Sequence, residues 1–214
     1  MNPKVRIFPT AQAASEALAA LLTERLSAGG RAVLSGGNTP LQAYALWGKS
    51  DILWNRVQLI ASDERCLPPD DAERNDNAIP AAIGPRRYTY HRFPAELGPE
   101  RASEAMESVV ADLVPFDLVV LGLGEDGHTA SLFPGRELEQ DTLVIPVHDS
   151  PKAPPERISL TAKALSQTQL IVYLVTGEGK REALQNFLNG ADLPPNHISA
   201  PEILIFCDSA AHPG

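Results

Sequence analysis

The chain predicts an α/β fold, a mostly parallel, Rossmann-like sheet with helices on both faces, in a single domain over residues 1–214. Two observations carry this. Short apolar runs alternate with stretches of helical periodicity along the chain, the pattern of strands joined by crossover helices. Several of those runs break into loops of Gly, Ser, Thr and Asn that lead into helical pattern, as βα turns do. A third observation sets the domain count. No internal repeat, low-complexity tract or shift in composition divides the chain, and Pro151 to Pro155 reads as a surface loop rather than a linker.

Taken in order, Ala11 to Leu26 predicts an amphipathic helix rich in Ala, Leu and Glu, with Thr10 as N-cap and Gly29 and Gly30 ending it. Arg31 to Leu34 is a short strand, and Leu41 to Trp47 is a helix whose first turn suits Pro40. Val57 to Ala61 is a second apolar strand that ends in Ser62-Asp63-Glu64-Arg65, and the polar stretch Pro68 to Asn77 reads as a loop. Pro99 to Leu113 is helical in pattern. Phe116 to Leu121 reads as a buried strand, broken by Gly122, Gly124 and Gly127, after which Thr129, Ala130 and Ser131 suit the start of a helix. Residues 136–155 are irregular around a strand at Leu143 to Val147. Ile158 to Thr161 is a strand end and Ala162 to Leu165 a helical turn. Leu170 to Val175 is a strongly apolar strand. It passes through Thr176-Gly177-Glu178-Gly179-Lys180 into a helix to about Leu188, and Ile203 to Cys207 is the last strand.

Composition excludes several functions. The formal net charge of −9 argues against a nucleic-acid binder, and it repels an anionic substrate at long range, so a phosphate site has to be a local basic pocket. No apolar run reaches the length of about 20 residues that a membrane span needs. Met1 to Ile7 lacks a long apolar segment, so no signal peptide and a cytoplasmic location are expected. Cys66 and Cys207 lack the spacing of a disulfide framework, a zinc site or a redox pair. The histidines form no ligand spacing, and no metal or other cofactor is expected.

In a parallel sheet the carboxyl ends of the strands lie on one edge, where ligands bind. Four unusual loops are therefore expected to meet there. In Ser35-Gly36-Gly37-Asn38-Thr39-Pro40 a glycine turn leads into a helix N-terminus, whose free N–H groups and dipole favour an anion. It lacks the spacing of a Walker loop. Gly122, Gly124 and Gly127 have the spacing of a dinucleotide fingerprint, but no long helix follows them. His128 with Asp126 two residues before it is a candidate general base, and Asp126 serves equally well as a cap of the turn. Arg65 suits a phosphate or an oxyanion, and Asp63 suits the orientation of other groups or the binding of sugar hydroxyls. Lys180 sits against the helix dipole, which makes sense beside a bound anion. From spacing alone, Lys180 and Arg157 read equally well as solvated surface cations. Ser35, Ser62 and Ser131 lie in no nucleophile elbow.

These motifs, in this order, resemble the 6-phosphogluconolactonase family, the sugar-phosphate lactonases of the oxidative pentose phosphate route. The resemblance spans nearly the whole chain. It is carried by Ser35 to Pro40, Ser62 to Pro69 with Asn75 beyond, Phe116 to Gly135, Arg157 to Thr161 and Val175 to Lys180. It implies one α/β domain, shared with glucosamine-6-phosphate deaminases and ribose-5-phosphate isomerases. It also implies hydrolysis of 6-phospho-D-glucono-1,5-lactone to 6-phospho-D-gluconate without a cofactor. By resemblance His128 is the base that activates water, Arg65 binds substrate and stabilises charge, and the Gly37–Thr39 turn, Arg157 and Lys180 hold the phosphate. The partner implied is a small sugar-phosphate lactone, with neither nucleic acid nor membrane, on a monomer or a homodimer. The chain departs from the commoner pattern at Asn38, where Ser is usual, and at Cys66, where Trp often stands. The rival of the same fold, an amino-sugar-phosphate deaminase or an isomerase, places a glutamate five residues after the histidine in its deaminase form. Phe133 stands there in this chain. A non-catalytic sugar-phosphate sensor on this scaffold would be expected to lose the His128 motif, which is intact.

Overall fold

Strands that are apolar at every position have to be covered on both faces, and the chain meets that demand with a parallel sheet between layers of helix. The computed structural model describes residues 3–138 and 140–214. Met1 and Asn2, part of the segment read for a leader, and Glu139, in the irregular 136–155 stretch, lie outside the described residues. In chain order the elements are β1 (Lys4–Phe8), α1 (Ala11–Arg25), β2 (Gly30–Leu34), α2 (Asn38–Trp47), β3 (Val57–Ala61), β4 (Asp63–Arg65), α3 (Asn75–Ile83), β5 (Thr89–His91), α4 (Pro99–Leu113), β6 (Leu118–Gly122), β7 (Val144–Val147), β8 (Arg157–Leu160), α5 (Ala162–Leu165), β9 (Leu170–Val175), α6 (Arg181–Leu188) and β10 (Glu202–Asp208). None of the described helices is long and apolar enough to cross a membrane.

Seven strands form one sheet in the order β1-β10-β9-β6-β2-β3-β5, every pair parallel. The chain runs outward from β2 through β3 to β5. It then returns to the other side of β2 and runs outward again through β6 and β9 to β10. The order reverses between β2 and β6, and that reversal opens a crevice at the carboxyl edge. The central strands are fully covered, with every residue of β9 buried and Leu118 to Leu121 at 0% exposure. A second, antiparallel sheet, β4-β8-β7, stands beside that edge. Ser62 alone joins β3 to β4, so the chain passes from one sheet to the other at the crevice.

The helices follow from local rules. Thr10 caps α1 by accepting from the Ala13 N–H at 3.1 Å, and Ala14, Leu18, Leu21 and Leu22 form its buried stripe. Pro99 starts α4, whose Ala102, Met106, Val110 and Leu113 turn inward.

The expected elements form, with corrections. Helix α2 begins at Asn38 rather than Leu41, because Gly37 at φ 103° turns the chain early and Pro40 sits in the first turn, where its missing N–H costs nothing. Part of the polar loop at Pro68 to Asn77 is helix α3. Its N-terminus is satisfied by a carboxylate eleven residues earlier in the chain, which no local pattern reveals. The edge strands β1 and β5 were not expected from the sequence. The first is mostly exposed and carries charge, and the second has three residues. Asp63 to Arg65 is a strand rather than a loop end. No helix starts at Thr129 to Ser131. The Thr129 hydroxyl donates back to the Gly122 carbonyl at 2.8 Å and the Ser131 N–H donates to the Ser159 hydroxyl at 3.2 Å. These bonds fold the segment into a tight turn with Ala130 at φ 49°.

Leu18, at 0% exposure, anchors α1 in the core. Leu18→Ala is expected to cost about 2–5 kcal/mol by urea denaturation. Ile7→Ala, at a side chain 53% exposed, is expected to change stability by less than about 0.5 kcal/mol in the same measurement.

Candidate active site

Strands β9, β6, β2 and β3 are consecutive neighbours in the sheet. Because they are parallel, the loops that follow them meet on one edge and line a single cavity of about 500 Å³. Gly36, Gly37, Asn38, Thr39, Asp63, Arg65, His128, Arg157 and Lys180 all line it. Asp126 does not, but it contacts His128.

His128 is held by its own turn. The Gly124 N–H donates to the His128 carbonyl at 2.7 Å, and the Gly127 N–H donates to the Gly124 carbonyl at 3.0 Å. The imidazole lies directly on Gly124, where a Cβ would overlap Nδ1, and Gly127 takes φ 86°. Nδ1 is hydrogen-bonded to Asp126 Oδ1, which also accepts the His128 backbone N–H at 3.3 Å. An ionised carboxylate only accepts, so the ring proton sits on Nδ1 and Nε2 keeps a free lone pair. One carboxylate oxygen of Asp126 thus contacts both the imidazole and the backbone N–H of the same turn. Phe133 packs on the imidazole with ring centroids 5.0 Å apart. Burial pulls the His128 pKa below its ordinary value and Lys152 adds to this, while Asp126 opposes it without reversing it. Burial pushes Asp126 the other way, but its hydrogen bonds to His128 and the neighbouring charges of His128 and Lys152 together hold it below the usual carboxylate value.

The turn before α2 presents a helix N-terminus to the cavity, and the first N–H groups of that helix have no partner within it. Thr39 Oγ1 lies 3.0 Å from Thr176 Oγ1, tying this turn to the end of β9. Gly36 is pressed against the Asn75 side chain, whose amide donates to the Asp63 carbonyl at 2.8 Å. Half-buried Lys180 sits in the short turn Glu178–Lys180 before α6. Burial lowers its pKa, Glu125 raises it and Lys152 lowers it further.

The acidic and basic residues after β3 divide into two sets. Asp63 is buried, with Oδ1 accepting from the Ser62 hydroxyl at 2.8 Å and Oδ2 from the Ser131 hydroxyl at 2.6 Å, and Arg157 Nη1 lies 4.0 Å away. Arg157 is itself buried. Its Nε donates to the Pro154 carbonyl at 3.1 Å and its Nη2 to the carbonyls of Lys152 at 2.9 Å and Ala153 at 3.1 Å. Arg65 donates from Nη1 to the Glu73 carbonyl, and its buried Nε has no partner among the described residues. Glu64 points away from the cavity at 0% exposure. It accepts from the N–H groups of Arg65 at 2.7 Å, Asn75 at 2.9 Å and Asp76 at 2.7 Å, with Arg74 Nε at 3.7 Å. Burial and the neighbouring Asp76 push its pKa up to about 7 against these donors.

Sequence reading gave Asn75, Ser131, Lys152 and Thr176 no role in the site. Asn75, Lys152 and Thr176 line the cavity, and Ser131 holds Asp63 from beside it. Lys152 lies in a proline-rich loop without a strand-end signal, and Asn75 depends on a helix hidden in polar sequence. Among the described residues no group of three His, Cys, Asp or Glu side chains is arranged to hold a metal ion.

The family model for glucosamine-6-phosphate isomerases/6-phosphogluconolactonase matches residues 9–205. The chain is 34% identical over 220 residues to 6-phosphogluconolactonase of Mycobacterium tuberculosis, covering 90% of this chain and 88% of that protein. It is 33% identical over 223 residues to the Homo sapiens 6-phosphogluconolactonase, covering 89% and 83%. The crystal structure of 6-phosphogluconolactonase from Thermotoga maritima superposes with a TM-score of 0.88 at 25% identity, over 97% of this chain and 99% of that one.

Glu64 ties β4 to α3 and so sets both Arg65 and Asn75. Glu64→Gln, which turns an amide donor toward a backbone N–H, is expected to cost about 1–3 kcal/mol in chemical denaturation. Because the folded-state pKa of Glu64 lies above the usual 4.5, this group favours folding below about 4.5 and loses that contribution as pH rises through about 7. The stability difference between wild type and Glu64→Gln should therefore change across that window and be flat outside it.

Proposed function

From the premise that this chain belongs to the glucosamine-6-phosphate isomerase/6-phosphogluconolactonase family, we propose that it hydrolyses 6-phospho-D-glucono-1,5-lactone to 6-phospho-D-gluconate. The observation that carries this reading is one cavity lined by an oriented imidazole, a helix N-terminus and several cations. In a chain of net charge −9, that local positive field is what an anionic sugar needs.

The phosphate is held by the Gly36–Thr39 turn and Lys180, with the charge of Arg157 beneath. Nε2 of neutral His128 takes a proton from water as the oxygen attacks C1. Arg65, which lines the cavity, or loop N–H groups stabilise the oxyanion that forms. The imidazolium then returns its proton to the ring oxygen as the C1–O bond breaks, and the acid product loses a proton to solvent. Asp126 fixes the tautomer throughout. Asp63 acts through Ser131 and Arg157, which its carboxylate holds in place. The sequence of steps draws on acid–base chemistry alone. The Phe133 ring against His128 occupies the place where a deaminase carries its glutamate, which favours hydrolysis over ring opening and ammonia release.

His128→Ala is expected to lower kcat by about 10²–10⁴-fold with a smaller change in KM, measured as lactone hydrolysis above the spontaneous rate. Turnover near that of wild type would remove His128 from the base role. The lowered pKa of His128 predicts an acid limb of kcat/KM below pH 6.5, with full activity at neutrality. Asp126→Asn removes a negative charge that favours imidazolium, so that limb should move to lower pH while kcat falls. No ammonia should be released from glucosamine 6-phosphate.

A further inference from the structure

The loop before β8 is closed on itself. The Ser150 N–H donates to the Pro155 carbonyl at 3.0 Å, and the Ser150 hydroxyl donates to the Lys152 carbonyl at 2.8 Å. From below, buried Arg157 spends Nε and Nη2 on the carbonyls of residues 152–154. A guanidinium so engaged has only Nη1 left, and Nη1 faces Asp63. The loop is a clamped strap, and it places exposed Lys152 on the cavity wall.

Lys152 and Lys180 line the same cavity, and among the described residues neither ammonium has a carboxylate within ion-pair distance. Lys152 works against the charge on Lys180, which Glu125 and Asp126 favour, and it also disfavours charge on His128. Two unpaired ammonium groups sharing a pocket store a repulsion that a dianion relieves. We propose that Lys152 is a phosphate-binding residue of this enzyme, delivered by the strap to complete the site formed by the α2 N-terminus and Lys180, and that Arg157 serves mainly to hold the strap. The assignment rests on the sugar-phosphate reading of the cavity and adds to it a further residue that distinguishes phosphorylated from unphosphorylated lactone.

The test compares wild type, Lys152→Met and Lys152→Arg. Lys152 is exposed, so melting temperatures should agree. Lys152→Met is expected to raise KM for the phosphorylated lactone about tenfold or more and to weaken 6-phosphogluconate binding, measured by calorimetry, by a similar factor. Its kcat should stay within about threefold of wild type, as loss of uniform binding requires. Lys152→Arg should recover most of the affinity, and the defect should vanish on unphosphorylated glucono-1,5-lactone. Unchanged KM and binding would overturn the assignment, as would an equal loss on both lactones, which would put the ammonium at the lactone end. If wild type hydrolyses neither lactone, the functional reading fails, and the calorimetric ratio still decides Lys152. If wild type binds no 6-phosphogluconate, both fail.

Discussion

Parallel pairing of β9, β6, β2 and β3 is the constraint on which the rest of the structure depends. β6 and β9 are apolar along their length and β2 and β3 over their last three residues, which forces burial on both faces and therefore crossover connections. Crossovers of one hand bring every strand into the sheet in the same direction, so the segments after β2, β3, β6 and β9 emerge side by side. They are far apart in sequence, and the parallel pairing brings them to one edge, where side-chain hydrogen bonds then join them. The reversal of strand order between β2 and β6 keeps the helices from closing over the edge, and the cavity occupies the gap. The small antiparallel sheet then walls one side of it, because β3 passes through a single residue into β4.

Within that frame the cavity is built from polar groups that hold one another. Asn75 binds the Asp63 carbonyl and packs on Gly36, so the turn before α2 is referenced to the end of β3. Asp63 fixes Ser131 in the turn after His128 and faces Arg157 at the start of β8. Arg157 in turn holds the strap. One buried carboxylate thus links three of the segments around the cavity. Burying it is tolerable because two hydroxyl donors and a guanidinium compensate its charge. Glu64 does the same work one layer further in, beneath Arg65 and Asn75.

Much of this was legible in the sequence where the signal is local. The apolar runs at 57–61, 116–121 and 170–175 form strands, the second only from Leu118 because Phe116 makes just an isolated bridge to Thr168, and the loops that follow them mark the carboxyl edge. The Gly124-to-His128 turn was legible because glycine is required where an imidazole lies on the backbone. What was hidden depends on distant partners. Helix α3 relies on Glu64 for its cap, so its polar first turn reads as loop. Thr129 to Ser131 carries helix-start residues whose hydrogen bonds go to Gly122 and Ser159 instead. Arg157 was legible as a cation near the site, but its engagement with the strap appears only once β8 is placed. Edge strands such as β1 carry polar residues on their exposed positions and lose the apolar signature.

The central claim is that one hexose-sized space holds an oriented base at one end and an anion site at the other. A crystal structure of the protein with 6-phosphogluconate tests it most directly. The account predicts the phosphate at the N–H groups of the α2 turn with Lys180 in contact, and the C1 carboxylate within hydrogen-bond reach of His128 Nε2. A phosphate bound away from that turn, or C1 lying beyond reach of the imidazole, would contradict it.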